Sequence, residues 1–225
     1  MKFYTVCTLP HYFPSDVYQL KRQLQLYYDG EVEMFVYTDR PSEFDNSVNV
    51  IDITHNKCVR QWYKIDFFGQ DIVSGDDPII VTDLDWIIRG DITDIIDMPI
   101  TRSQFAAVER WWREPSDALK LNGGLYKFYP GTCIRSYNIF YSNPKFWQTA
   151  YYGPTKIAGE QDFTMDTLSL THDIVYFPGE SIGRYRSNNR EAMEAYSKIY
   201  QSKYSNRYIV NGDFNSQVVM VHGRF

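Results

Sequence analysis

Pro78-Ile79-Ile80-Val81-Thr82-Asp83-Leu84-Asp85-Trp86-Ile87-Ile88 is the stretch on which the reading of this chain turns. Its burst of β-branched residues follows the turn-forming Gly75-Asp76-Asp77 and reads as a fully buried strand. Asp83 and Asp85 stand where that strand ends, and in extended backbone residues i and i+2 project to one face. Two carboxylates aimed into one small volume repel each other, and a divalent cation is the charge that most simply offsets the repulsion. Open α/β sheets also bind their ligands at such strand ends.

Upstream of this strand the pattern alternates. Phe3 to Leu9 reads as a strand. Ser15 is an N-cap for an amphipathic helix carrying Val17, Leu20, Leu24 and Tyr27, with Gly30 as its stop. Met34 to Thr38 and Val48 to Ile53 are the next strands, and a helix runs from Cys58 through Trp62 and Ile65 to Phe68. Strands separated by helices predict a mostly parallel sheet with helices on its faces.

Downstream the pattern is less regular. Phe105 to Val108 and Asn138 to Tyr141 read as short strands flanking a loop-rich segment with Trp111, Trp112, Gly123, Gly124 and Pro130. Gln161 to Leu170 reads as a helix, Ile174 to Phe177 as a strand, Glu191 to Tyr200 as a helix and Gln217 to Val221 as a closing strand. No repeat or linker divides the 225 residues, so a single domain over 1–225 is expected.

Composition narrows the function classes. A hydrophobic share of 44% is ample for a core and excludes a disordered chain. A net charge of −5 with no basic run argues against a general nucleic-acid binder. Cys7, Cys58 and Cys133 are widely spaced, lack a CxxC pair and read as reduced thiols. The opening MKFYTVCTLP enters a strand pattern directly, and nothing approaches the roughly 20 apolar residues of a membrane span. A cytoplasmic protein is expected.

Ile80 to Asp85, placed after an α/β half and before Ile87-Ile88-Arg89-Gly90-Asp91-Ile92, resembles the DxD motif of GT-A glycosyltransferases. Gly159-Glu160-Gln161-Asp162-Phe163 resembles the Asp-Gln-Asp segment of the glycogenin and galactosyltransferase-like retaining group, with Glu160 in place of the first aspartate. Val218-Val219-Met220-Val221-His222-Gly223-Arg224 resembles that group's terminal strand and metal-binding histidine, with Arg224 where a Lys-Pro usually follows. The resemblance implies an α/β, GT-A-like (Rossmann-like) single domain. Residues 1–100 would form its nucleotide-sugar half and 101–225 its acceptor half. Its metal would be Mn²⁺ or Mg²⁺, held by Asp83, Asp85 and His222.

By the same resemblance, Thr8, Asp39, Lys64, Leu84, Gly223 and Arg224 would meet the donor, a UDP-hexose with UDP-glucose as first choice. Glu160, Gln161 and Asp162 would face the transferred sugar, and transfer would retain configuration. The acceptor stays open among glycan, lipid, nucleic acid and protein, with Trp111 and Trp112 as a candidate sugar platform. Carboxylates with one imidazole suit Mn²⁺, and the metal would neutralise a leaving diphosphate. Two other readings remain: a haloacid dehalogenase-type phosphatase with Asp83 as nucleophile, and a non-catalytic nucleotide- or carbohydrate-binding protein.

Overall fold

Alternation along the strands sorts the apolar residues into two cores, one on each face of a sheet. Phe3, Cys7, Met34, Val36, Ile80 and Ala106 face one way, and Tyr4, Tyr37, Ile79, Val81, Phe105 and Ala107 the other. The computed structural model describes residues 1–53, 58, 60–88, 90–110, 121–151, 159–178, 182–186 and 218–222.

In chain order the elements are β1 (Lys2–Cys7), α1 (Pro14–Tyr27), β2 (Glu33–Thr38), a 3₁₀ turn at Pro41–Glu43, β3 (Asn49–Asp52), a 3₁₀ helix over Arg60–Phe68, β4 (Ile79–Thr82) and β5 (Trp86–Ile88). There follow α2 (Thr93–Ile96), β6 (Gln104–Glu109), β7 (Leu121–Phe128), α3 (Ile134–Ser142), α4 (Pro144–Ala150), α5 (Glu160–Leu168), β8 (Asp173–Tyr176), β9 (Ile182–Arg186) and β10 (Val218–His222). Seven strands form one sheet in the order β3-β2-β1-β4-β7-β6-β8, and β5, β10 and β9 form a second, small one. In the large sheet β7 alone runs against its neighbours; the other adjacent pairs are parallel. The mostly parallel α/β architecture expected from the alternation is the one observed.

α1 covers the first face through Val17, Leu20 and Leu24. On the second face the 3₁₀ helix, α3 and α5 bury a large aromatic cluster. Phe105 stacks on Phe128 at 5.4 Å, and Phe68 meets both edge-on at 5.9 and 5.3 Å. Among the described residues no helix is long and apolar enough to cross a membrane. Cys7, Cys58 and Cys133 are all buried and free, as expected of reduced thiols.

The structure corrects several local expectations. The cap of α1 is Phe13 rather than Ser15: Pro14 opens the helix and the Asp16 carboxylate accepts the Phe13 N–H at 2.8 Å. Gly30 is no left-handed stop. A Cβ there would lie 2.4 Å from the Tyr28 ring, so the position is small because a ring packs on it. Asn138 to Tyr141 lies in α3, not in a strand; Ser136 and Phe140 are buried at helical spacing against the 3₁₀ helix and α5.

Residues 121–128, read from sequence as loop, are the fully buried β7. The Gly-Gly pair that suggested a loop marks an irregularity inside the strand. β6 shifts register there between Ala107, opposite Tyr126, and Val108, opposite Asn122. α4 and β9 had no strong periodic signal, and the expected helix at Glu191–Tyr200 lies outside the described residues.

Removing a ring from the centre of the aromatic cluster leaves a cavity that its neighbours fill only in part. Phe105→Ala should lower the unfolding free energy by about 3–5 kcal/mol, measured by urea denaturation.

Candidate functional site

The C-terminal ends of the parallel strands converge on one edge of the large sheet. Register sets Cys7 beside Thr38 and Tyr4 beside Val81, which brings Thr8, Asp39 and Asp83 to neighbouring strand ends. Asp83 and Asp85 are half-buried around Leu84, whose side chain is 7% exposed and belongs to the core. Leu84 can therefore meet a ligand only through its backbone.

Lys64, on the 3₁₀ helix, is the unexpected centre of this edge. Its side chain is buried, its ammonium pairs with Asp83 Oδ1, and it donates to the Gly123 carbonyl at 2.7 Å. Burial works against the charge, but Asp83, Glu160 and Asp85 together outweigh burial and raise the Lys64 pKa. Asp85 is pushed upward by burial and by the charge of Asp83, with Lys64 pulling the other way. A group that supplies more positive charge at Asp85 would relieve that stress.

β7 supplies the floor. Gly124 O accepts the Asp83 N–H at 2.9 Å, and Gly124 N donates to Asn122 Oδ1 at 2.9 Å. Asn122 Nδ2 in turn donates to Gln161 Oε1 at 3.3 Å. A Cβ at Gly123 would come within 2.8 Å of both Gln161 Cγ and the Tyr126 hydroxyl, and 3.2 Å of Glu160 Oε2. Only glycine lets β7 and α5 approach so closely. Asn122, Gly123 and Gly124 were missed from sequence because the glycine pair suppressed the strand signal; the Asn-Gly-Gly triplet itself was the available clue.

At the start of α5 the three polar residues have different environments. Glu160 is fully buried, with Oε1 accepting from Tyr126 and Thr164 at 3.0 Å each, while Oε2 is buried with no hydrogen-bond partner among the described residues. Burial pushes its pKa up to about 7, against the opposing pull of Lys64 and of the two hydroxyl donors. Gln161 lies between β7 and the site. Asp162 pairs with Arg110 at 2.5 Å, and Arg110 Nε also donates to Leu121 O at 2.5 Å. That pair clamps α5 to the ends of β6 and β7. Sequence reading overlooked Arg110, whose only signal was a cation at a strand end.

At the other end of the edge, the Thr8 carbonyl accepts the N–H groups of His11 and Tyr12 at 3.2 Å each. Asp39 is exposed, 3.6 Å from Arg40 Nε, and Arg40 ties the strand ends together by donating to Tyr12 O at 2.7 Å. His222 is described as backbone. β10 pairs antiparallel with β5 through Val218–Ile88, Val219–Ile87 and Met220–Trp86, and His222 ends β10 two residues past Met220. Among the described residues no three His, Cys, Asp or Glu side chains form a ready metal cluster. Trp111, Trp112, Gly223 and Arg224 lie outside the described residues.

No protein-family model and no curated protein matches this chain. Solved structures do. The galactosyltransferase LgtC, crystallised with donor and acceptor sugar analogues, aligns over 99% of this chain and 87% of its own, with a TM-score of 0.60 at 10% identity. An active-site Gln→Glu mutant of LgtC aligns over 100% of this chain and 88% of its own, at TM-score 0.58 and 11% identity. The glycosyltransferase GlyE of Streptococcus pneumoniae TIGR4, in its apo form, aligns over 97% of this chain at TM-score 0.58 and 10% identity. This chain spans 53% of GlyE's length. At such identities the likeness is one of fold, and that fold is the GT-A-like α/β arrangement.

The buried Glu160 carboxyl gives a pH signature. Its folded pKa of about 7 stands above the usual 4.5, so the folded state holds a proton that the unfolded state has released. Stability should therefore fall as pH rises from about 4.5 to about 7, by on the order of 3 kcal/mol. Urea unfolding at pH 5 and pH 8 should show the Glu160→Gln variant losing less stability than the native chain, by on the order of 3 kcal/mol, with the remaining loss carried by the raised carboxyls of Asp66 and Asp85.

Proposed function

We propose that this protein transfers a sugar from a nucleotide-sugar to an acceptor hydroxyl. The observation that carries the reading is the meeting of the strand-end pair Asp83 and Asp85, the buried Lys64 and the Glu160–Gln161–Asp162 turn of α5 at one edge of a fold shared with glycosyltransferases. Thr8 and Asp39, one and two strands away along that edge, are then the nucleoside contacts. A diphosphate between the two groups would lie beside Lys64.

Asp83, Asp85 and His222 are the proposed ligands of Mn²⁺ or Mg²⁺. Their oxygen and imidazole donors suit such an ion, and the stress on Asp85 favours one. When bound, the ion would act as a Lewis acid on the departing diphosphate. The chain's own part is to hold the donor. Lys64 keeps Asp83 in place and adds a fixed positive charge in an enclosed setting, where its effect on a developing anion is strongest. Gly123 and Asn122 set Gln161 at the sugar end.

The same geometry supports retention. Inversion requires a carboxylate base within reach of the acceptor hydroxyl. Asp162 is committed to Arg110, and the Glu160 carboxyl is fully buried with Oε1 held by Tyr126 and Thr164. UDP-glucose or another UDP-hexose is the proposed donor, and the acceptor hydroxyl belongs to a glycan, lipid, nucleic acid or protein. No observation favours the phosphatase or the non-catalytic reading over this one.

Incubated with Mn²⁺ and a panel of nucleotide-sugars, the protein should release free nucleotide fastest from a UDP-hexose. EDTA should stop the release, and so should the Asp83→Ala/Asp85→Ala double variant; release that survives both would reject the reading. Asp85→Asn should abolish Mn²⁺-dependent UDP binding in calorimetry, whereas His222→Ala should weaken it, because water can take the vacant position. NMR of the first product should show the donor's anomeric configuration preserved.

A further inference from the structure

A second cleft, of about 460 Å³, opens between the 3₁₀ helix, α3 and the β3 edge of the large sheet. Lys64 and Asp66 lie two residues apart on the 3₁₀ helix, about 120° around its axis. Lys64 turns to Asp83, whereas Asp66 forms the floor of this other cleft. Asp66 is 3% exposed; Tyr37 donates to its Oδ2 at 2.7 Å and Tyr141 donates to its Oδ1. The floor is thus assembled from β2, the 3₁₀ helix and α3 at once.

The wall is aromatic. The Tyr137 and Tyr141 rings are partly exposed, with centroids 4.5 Å apart and planes inclined at 41°. Gly69 lines the cleft beneath them, and a Cβ there would stand 2.9 Å from the Tyr137 ring. The glycine therefore lets that ring lie against the backbone. The exposed carboxylates of Asp52 and Asp71 complete the lining.

This chemistry selects among ligands. Flat rings accept the C–H face of a pyranose, and carboxylate and phenol oxygens accept its hydroxyl hydrogens. Burial pushes Asp66 up to about 6, against the pull of its two tyrosine donors, which hold both of its oxygens at the floor. The volume lies in the range of roughly 300–1,000 Å³ usual for small-ligand sites.

We propose that this cleft is a binding site for a neutral mono- or disaccharide, separate from the Asp83–Asp85 site. The inference does not rest on glycosyl transfer.

Saturation-transfer NMR and calorimetry on the full chain, with glucose, galactose, maltose, lactose and cellobiose as probes, test it. At least one sugar should bind without Mn²⁺ or nucleotide, and Tyr137→Ala should weaken it tenfold or more. Gly69→Ala, which displaces the same ring without removing it, should weaken it as well. Both variants should keep the native circular dichroism spectrum and bind UDP with Mn²⁺ within twofold of the parent. Sugar binding in a chain that ignores UDP and Mn²⁺ would uphold this site and count against the donor site alone. Failure of all five sugars to bind, undiminished binding in both variants, or displacement of the sugar by ethanolamine would overturn the proposal.

Discussion

An ammonium group with almost no exposure to water must be matched on every side, and Lys64 organises one end of this molecule for that reason. Taking such a charge out of water costs several kcal/mol unless partners surround it. Here the partners are the Asp83 carboxylate and the Gly123 carbonyl, with Glu160 and Asp85 adding their fields. They come from three places in the chain: the turn after β4, β7 and α5. The demand of one buried charge thus holds four pieces of chain in register at the edge where the parallel strands end.

The close approach this requires is made possible by absent side chains. Gly123 has no room for a Cβ because Gln161, Tyr126 and Glu160 already occupy the space. The irregular pairing of β6 and β7 at the same place lets Gly123 and Gly124 turn their carbonyls to Lys64 and to the Asp83 amide. Arg110 and Asp162 then fasten α5 from the other side. The Lys64–Asp83 and Arg110–Asp162 ion pairs flank Glu160, and its raised pKa follows from burial, which outweighs the opposing pull of Lys64 and of the two hydroxyl donors.

The sheet separates the chemistry of its two faces. α1 and α2 pack on the face that carries aliphatic residues, and the 3₁₀ helix, α3 and α5 pack on the aromatic one. Everything charged and buried around Lys64 belongs to the aromatic side, where hydroxyl-bearing rings such as Tyr126 and Tyr37 combine bulk with a hydrogen bond. At these positions tyrosine, unlike phenylalanine, can fill the core and still satisfy a buried carboxylate.

Periodicity and residue type by themselves determined the class of fold, the order of β1, α1, β2, β3 and β4, and the position of Asp83 and Asp85 at a strand end. These depend on alternation and on short-range turn chemistry, which are local in sequence. The resemblance to a glycosyltransferase motif singled out Lys64 and the Glu160–Asp162 segment, but as separate pieces. Only the tertiary structure decided that Lys64 and Asp83 are an ion pair, that Asp162 is committed to Arg110, and that Asn122 to Gly124 form a buried strand. The strand was hidden because its two glycines mimic a loop, and the helical identity of Asn138 to Tyr141 because its aromatics mimic a strand. In both cases packing against elements distant in sequence outweighed local preference, and that information is absent from any short window of the chain.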